Sequence, residues 1–222
     1  MSLVLNIDTA LDLASICLAH DGKELLSAVN ENPQDHAGWL HKAILRTMDK
    51  SGYSLSKLEA VAVSIGPGSY TGLRVGLASA KGLCYAMNIP LITVNSLEML
   101  AFSVKEKAPD LICPMIDARR MEVFTAVYNN LLIEEISPHA VIIDEKSFQS
   151  LLLSHKILFC GNGSKKLQSL ITSGNAYFSD RYATASDLAL LSHNRFHNKE
   201  FANLAYTEPL YLKEFYSGLQ KN

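Results

Sequence analysis

The feature that most constrains the fold is the segment Val61–Ala86, which reads VAVSIGPGSYTGLRVGLASAKGLCYA. An apolar run ends at Gly66-Pro67-Gly68, and a segment rich in small residues follows it. This order predicts a short buried strand, a tight turn and a helix over Tyr70–Ala86. Ser69 stands where a hydroxyl can cap the helix, and a glycine turn beside a helix start lets an anion approach. The turn is therefore a candidate phosphate site.

The predicted helix lacks a broad polar face. Its only charged residues are Arg74 and Lys81, which fall on one narrow seam, and its interior holds Gly72, Gly76 and Gly82. Such a helix is normally covered on more than one side. Each interior glycine costs roughly 1 kcal/mol relative to alanine, so close packing must offset it. We therefore expect a sheet on one side of this helix and a partner subunit on another.

The composition limits the partners and the compartment. With 222 residues, 48% of them hydrophobic, the chain can form one large domain or two lobes. A formal net charge of −2 predicts that the chain does not bind nucleic acid by itself. We see no signal peptide and no run long enough to span a bilayer, so we expect a cytoplasmic protein without membrane contact. Dispersed cysteines in apolar segments are expected to be buried thiols: Cys17, Cys84, Cys113 and Cys160.

A short internal echo suggests two related lobes. A strand over Leu3–Ile7 ends at Asp8-Thr9, and a hairpin partner follows; Ile116-Asp117 repeats this arrangement later in the chain. We place the boundary near Lys107, which gives lobes 1–107 and 108–222. An aspartate at a strand end can face a phosphate or a metal, but a turn aspartate held by local backbone is the plainer alternative.

A second helix is predicted over Pro33–Lys50. Its apolar stripe consists of Leu40, Ala43, Ile44 and Met48. His36 and His41 on this helix are spaced so that they cannot share one metal, and we expect solvated or interface histidines. Trp39, the only tryptophan, lies off the stripe and packs either in the core or against a partner.

The second lobe is predicted to continue with a strand near Ala140–Ile143, a helix over Glu145–Leu153 and a buried strand Ile157–Cys160. Gly161-Asn162-Gly163-Ser164 then gives a weak copy of the glycine turn, for which an ordinary turn and a nucleotide contact both stay open. A final helix is predicted over Ser186–Phe196, followed by an extended closing segment.

His193 and His197 have the spacing of a metalloprotease helix, but Asn194 stands where the catalytic glutamate would be. Histidines at a helix C-terminus are favourable without a metal, so we predict no metal site. The GPGSYTG string is also not a dinucleotide fingerprint, because its glycines are spaced differently.

Several motifs occur in the order of one known family. They are Ile7–Ala10 (IDTA), Gly66–Gly76 (GPGSYTGLRVG), Ala80–Leu83 (AKGL), Ile116–Arg119 (IDAR), Glu122-Val123 and Glu208–Leu212 (EPLYL). Together they resemble the bacterial TsaB (YeaZ) family from end to end, and the GPGSxTGxRxG string is highly specific. The resemblance implies an α/β protein with the actin-like ATPase architecture: two ribonuclease-H-like lobes with mixed sheets flanked by helices.

The resemblance also implies a function. TsaB-like proteins are non-catalytic subunits that bind and activate the TsaD-like threonylcarbamoyltransferase, which forms N6-threonylcarbamoyladenosine beside the tRNA anticodon. A TsaE-like ATPase joins the complex, tRNA is reached only through it, and the subunit self-pairs when alone. The resemblance implies no cofactor bound by this subunit alone. It does imply ATP or ADP at the interface with the partner. TsaD binds its metal through an HxxxH motif, and here His36 is followed by Leu40 in the second place.

The family pairs through the two helices of its first lobe. The residues expected at this interface are His36, Trp39, Leu40, Ala43, Gly72, Val75, Gly76, Ser79 and Leu83. The residues expected near a nucleotide are Asp8, Thr9, Gly68, Ser69, Arg74 and Asp117. On this basis Gly76→Leu and Leu83→Asp are each expected to abolish pairing without disturbing the isolated fold.

Two rival functions stay open. An autonomous ATPase or small-molecule kinase of the same fold would use Asp8, Ser69 and Asp117 around phosphate and magnesium. A glycoprotease-type metallopeptidase would need a metal, for which only His193 and His197 offer the spacing.

Overall fold

The structure is a computed structural model that describes residues 2–11, 13–30, 32 and 35–213. The first of its two mixed sheets has the order β3-β2-β1-β4-β5. Its strands are β1 Leu3–Asp8, β2 Ser15–His20, β3 Lys23–Val29, β4 Ala60–Ser64 and β5 Leu91–Val94. The first three strands form an antiparallel meander, and β4 and β5 add parallel to β1.

The second sheet repeats the first. Its strands are β6 Leu111–Asp117, β7 Glu122–Asn129, β8 Glu134–Ile142, β9 Ile157–Cys160 and β10 Ala176–Ser179. They follow the order β8-β7-β6-β9-β10, with the same pattern of antiparallel and parallel pairs. The echo between Ile7-Asp8 and Ile116-Asp117 therefore marks equivalent positions at the ends of β1 and β6. The predicted fold class, two related mixed sheets flanked by helices, is confirmed.

Six α-helices accompany the sheets in the described residues. They are α1 His36–Ser51, α2 Tyr70–Met87, α3 Ser96–Val104, α4 Gln149–Leu152, α5 Ser164–Gln168 and α6 Ala185–His197. Side chains alternate between the two faces of a sheet along each strand. One face of the first sheet packs on α1 and α2, and the other face packs on α6. Leu5 and Ile7 lie in one cluster with residues of α1 and α2, whereas Val4 packs with Phe196 of α6.

Two helices each pack on the sheet that the other half of the chain forms. Helix α3 packs on β6, β7 and β9, and α6 packs on β1, β2 and β5. Leu97 and Leu100 of α3 share one buried cluster with Ile112, Leu158 and Leu188. A cut between residues 107 and 108 would therefore separate each of these helices from the sheet that it covers.

Several predicted boundaries differ from the structure. Helix α1 begins at His36 and is capped by Asp35, which accepts from the Gly38 N–H at 3.0 Å; Pro33 lies outside the described residues. The helix predicted over Glu145–Leu153 is only the short α4. Asp144 holds the preceding residues in a turn, because its carboxylate accepts from the Lys146 N–H at 2.9 Å.

Strand β8 is longer than the predicted Ala140–Ile143, and β10 was not predicted. Both are edge strands of the second sheet. Pro138 and the consecutive Glu134 and Glu135 interrupt the alternation of apolar and polar residues in β8. Edge strands tolerate proline and charged residues. The period-2 signal from which strands are predicted is therefore weak in this strand.

Two glycines of α2 pack against the end of β1. A Cβ atom at Gly72 would lie 2.0 Å from the Thr9 carbonyl oxygen, and one at Gly76 would lie 2.2 Å from Thr9 Oγ1. Thr9 Oγ1 also donates to the Gly72 carbonyl at 2.7 Å. Gly82 differs from both, since a Cβ atom there would meet nothing within 4 Å.

The closing segment of the chain covers the charged seam of α2. Arg74 Nε donates to Tyr211 Oη at 3.0 Å, and Lys81 Nζ donates to the carbonyls of Ala205 and Thr207 at 3.2 and 3.1 Å. Leu210 N donates to the Ile65 carbonyl at 2.7 Å. The chain's own closing segment therefore contacts this seam, although Arg74 stays exposed, and the expected partner subunit concerns another side of the helix.

The contrast between the glycines gives a matched test of this packing. Gly76→Ala is expected to lower the free energy of unfolding by about 1–3 kcal/mol, because its methyl group would overlap Thr9. Gly82→Ala is expected to raise that free energy by about 0.5–1 kcal/mol, because its site is open and alanine favours helix. Urea unfolding of both variants measures the difference. Equal effects at the two sites would contradict the packing described.

Candidate functional site

The outward side of α1 and α2 carries a face that the described residues leave uncovered. The two helices touch where His41 Nε2 lies 3.3 Å from Ser79 Oγ. Beside this contact the side chains are small or apolar, and we define the helical face as the exposed residues Gly38, His41, Leu45, Ala78, Gly82 and Tyr85. Leu45 is 56% exposed and Tyr85 is 83% exposed. An exposed patch of this kind is typical of a protein-binding surface.

The residues that the sequence assigned to a partner interface divide into two groups. Leu40 and Ala43 are buried in the core beneath α1, and Gly72 and Gly76 are buried against Thr9. Their assignment is corrected, because the chain's own core covers them. The expectation that Gly76→Leu leaves the isolated fold undisturbed is corrected with it, since any side chain at this position would overlap Thr9. Ser79 is buried beside His41, whereas the remaining residues are half-buried at the border of the face: His36, Trp39, Val75 and Leu83.

The structure adds exposed members that the sequence analysis did not select. These are Leu45 on α1 and Ala78, Gly82 and Tyr85 on α2. The helical period separates them from the core, since Ala78, Gly82 and Tyr85 lie on the opposite side of α2 from the buried Leu73, Gly76 and Ala80. Gly72 and Gly76 show that small residues on these helices also occur where a helix packs inside its own chain.

A cleft of about 610 Å³ opens between the ends of β1 and β6. The glycine turn before α2, the Asn162 turn and the closing segment also line it. Three predicted nucleotide contacts, Gly68, Ser69 and Asp117, lie on its wall. Asp8 and Thr9 are buried behind the wall, and Arg74 lies outside it, where it stacks at 3.9 Å on the ring of Tyr70, itself a lining residue.

The glycine turn binds the chain's own backbone. Ser69 N donates to the Ala10 carbonyl at 2.7 Å, and a Cβ atom at Gly68 would lie 2.2 Å from that oxygen. The Ser69 hydroxyl accepts from the Gly72 N–H at 3.3 Å and so caps α2, as predicted. The close approach that the glycine permits is thus used by Ala10, and the turn is not a free phosphate cradle.

The acidic groups on the cleft wall are held by lysines. Lys166 Nζ lies 2.6 Å from the Asp117 carboxylate and also donates to the Glu122 carbonyl at 3.1 Å. Lys213 Nζ lies 2.6 Å from the Glu122 carboxylate. With these carboxylates paired with lysines, the residues present do not fit a magnesium site formed by this chain alone.

Asp8 is fully buried next to the cleft. One carboxylate oxygen accepts from the Ser64 hydroxyl and from the Ala10 N–H, and the other has no hydrogen-bond partner among the described residues. Burial raises the pKa of Asp8 to about 6, against the opposing effect of the two hydrogen bonds. Local backbone is thus only one of two partners of Asp8, since Ser64 of β4 is the other, and the burial of the carboxylate leaves no exposed oxygen to contact a phosphate.

A second cluster lies where α6 ends. His193 and His197 face each other with ring centroids 4.4 Å apart, and Asp21 joins them from the turn between β2 and β3. Partial burial and the neighbouring His197 lower the pKa of His193, while Asp21 opposes this. The histidine pair has a recognisable sequence spacing, whereas Asp21 is distant in sequence and has no motif to mark it.

Comparisons with known proteins agree with the architecture. A family model described as TsaD, tRNA N6-adenosine threonylcarbamoyltransferase, matches residues 30–207. The proteins named tRNA threonylcarbamoyladenosine biosynthesis protein TsaB from Bacillus subtilis and Escherichia coli are 32% and 33% identical over 61% and 56% of this chain. The chain belongs to the TsaB/YeaZ family.

The matches to these curated TsaB proteins span 59% and 54% of their lengths, little more than half. The structure of YeaZ from Pseudomonas aeruginosa superimposes with a TM-score of 0.83 at 25% identity and covers 96% of this TsaB/YeaZ-family chain and 100% of its own. EutJ from Carboxydothermus hydrogenoformans, at 9% identity and a TM-score of 0.52 over 84% of this chain and 88% of its own, shares the fold alone. Among the described residues, no helix has both the length and the apolar character needed to cross a bilayer.

The buried carboxyl of Asp8 predicts a dependence of stability on pH. A carboxyl whose pKa is raised on folding binds its proton more tightly in the folded state, so its ionisation destabilises the fold as pH rises through about 6. Relative to the wild type, Asp8→Asn is expected to gain about 2 kcal/mol of unfolding free energy between about pH 4 and about pH 7. Urea unfolding across this range, with exposed Asp180→Asn as control, measures it; a gain independent of pH would contradict the assignment.

Proposed function

We propose that this TsaB/YeaZ-family chain is a non-catalytic subunit that binds a TsaD-type threonylcarbamoyltransferase and activates it in the threonylcarbamoyladenosine modification of tRNA. The observation that carries the proposal is the helical face. It presents small and apolar groups outward, although the chain's own core already covers the inner sides of α1 and α2. The names of the related proteins support the modification as the process involved.

The helical face has the composition of a protein contact. Ala78 and Gly82 allow another helix to approach closely, and Tyr85 offers an aromatic anchor that is 83% exposed. Exposed cations at Lys42 and Arg46 adjoin the face on α1 and supply a polar rim. When the transferase is absent, the same face is available to a second copy of the chain, which agrees with the expected homodimer.

The contacts in the cleft favour a subunit without chemistry of its own. A kinase or ATPase needs a carboxylate that can approach magnesium or the attacking hydroxyl. Here Asp8 is buried, and Asp117 and Glu122 are paired with lysines. The peptidase alternative has less support, because Asn194 cannot act as the general base next to the histidine pair.

The remaining partners stay predictions for the assembled complex. ATP or ADP at the interface with the transferase would use groups that this chain alone does not arrange. The TsaE-like ATPase would join the pair, and tRNA would be bound through the transferase. This agrees with the net charge of −2, which gives the subunit no general attraction for phosphates.

The proposal predicts a loss of binding from changes on the exposed face. Ala78→Arg places a long charged side chain at a close contact, and Tyr85→Ala removes the aromatic anchor. Each is expected to weaken the binding of the TsaD-type transferase at least about tenfold, as truncation of an interface anchor commonly does. Calorimetric titration with the purified transferase measures the affinity, and threonylcarbamoyl transfer to tRNA in the reconstituted system is expected to fall with it.

Tyr182→Ala is the control, because this tyrosine is 57% exposed and lies outside the helical face. It is expected to bind the transferase like the wild type. Thermal unfolding of each variant alone establishes that its fold is intact. Wild-type affinity in both Ala78→Arg and Tyr85→Ala would overturn the proposed surface, and full modification activity without this chain would overturn the activating role.

A further inference from the structure

We infer, against the prediction of no metal site made from the histidine spacing alone, that Asp21, His193 and His197 form a binding site for one divalent transition-metal ion of the zinc type. One potential ligand atom from each residue lies within 4.8 Å of the other two. Around a bound zinc ion such atoms would lie about 3.3 Å apart, since zinc binds histidine nitrogen and carboxylate oxygen at roughly 2.0–2.2 Å. Small side-chain rotations are enough to close this gap.

The local backbone places the three groups together. His193 and His197 are one helical turn apart on α6 and therefore lie on the same face of that helix. Asp21 and Gly22 both have positive φ, 48° and 75°, as in the type I′ turns that form the two-residue loops of β-hairpins. A Cβ atom at Gly22 would lie 3.1 Å from the Cβ atom of His193, so the turn rests directly on the histidine.

Two features of the surroundings favour a bound cation at this cluster, where His20 Nδ1 also lies 3.4 Å from the Asp21 carboxylate. Ser2 Oγ lies 3.1 Å from His193 Nδ1, a contact of the kind that orients a metal-binding ring, and Ser2 N donates to the Asp21 carboxylate at 2.7 Å. The cluster also stands at the C-terminal end of α6, where the helix dipole favours positive charge. Two imidazoles and one carboxylate suit zinc and related ions, with the remaining positions open to water.

The expected role is structural. The metal would join the β2–β3 turn of the first sheet to α6, the helix that the second half of the chain contributes to that sheet. Bound metal would therefore strengthen the attachment of α6. This inference is independent of the proposed partner surface, which lies on α1 and α2.

The test uses the purified chain stripped with a chelator and titrated with Zn²⁺ and with Co²⁺. One equivalent is expected to bind, and a hundredfold excess of Zn²⁺ over its dissociation constant should raise the unfolding temperature by roughly 5 °C. Bound Co²⁺ should absorb in the visible region without a thiolate charge-transfer band, because all four cysteines are buried elsewhere.

The exposed ligands allow substitution with little risk to folding. His197→Ala and Asp21→Asn, in which asparagine tolerates the positive φ, are each expected to weaken Zn²⁺ binding at least tenfold and to abolish the thermal shift. His155→Ala, an exposed histidine of the second sheet's half, is the control and should bind like the wild type. Absence of saturable binding, or binding unchanged in both ligand variants, would overturn the site.

Discussion

The contact between Thr9 and α2 determines much of this structure. Thr9 lies at the end of β1, and its carbonyl and hydroxyl oxygens occupy the space that side chains at Gly72 and Gly76 would fill. The hydroxyl also bonds the helix backbone at Gly72. Only a helix with glycine at both positions can approach β1 this closely. The contact fixes α2 against the first sheet and, with it, the turn at Gly68 and the wall of the cleft.

This packing divides α2 into sides with different roles. The side at Gly72 and Gly76 is used inside the chain, and the seam of Arg74 and Lys81 is held by the closing segment. What remains outward is the stripe through Ala78, which joins the exposed side of α1 in the helical face. The proposed partner-binding surface is therefore the side of α2 that no other part of the described chain covers. The cleft has the smaller role in the proposed function.

The architecture could be predicted because its signals are local, repeated or shared with a known family. The apolar run before Gly66 predicts β4, the echo of Ile7-Asp8 in Ile116-Asp117 suggests two related lobes, and the family resemblance implies their mixed sheets. The site was harder to predict, because a small residue has the same appearance in sequence whether it faces its own chain or a partner. Nothing in the sequence indicates that Thr9 covers Gly76, or that Asp21 approaches α6, since both contacts join segments that are far apart in the chain.

The central claim is that the uncovered side of α1 and α2 receives the transferase. Hydrogen–deuterium exchange of this chain, alone and in complex with the TsaD-type transferase, tests it most directly because it reports on the native protein. The account predicts slower exchange in peptides from His36–Ser51 and from the second half of Tyr70–Met87, with little change in β8 or β10. Protection confined to the cleft or to the second sheet, with none in α1 and α2, would contradict it.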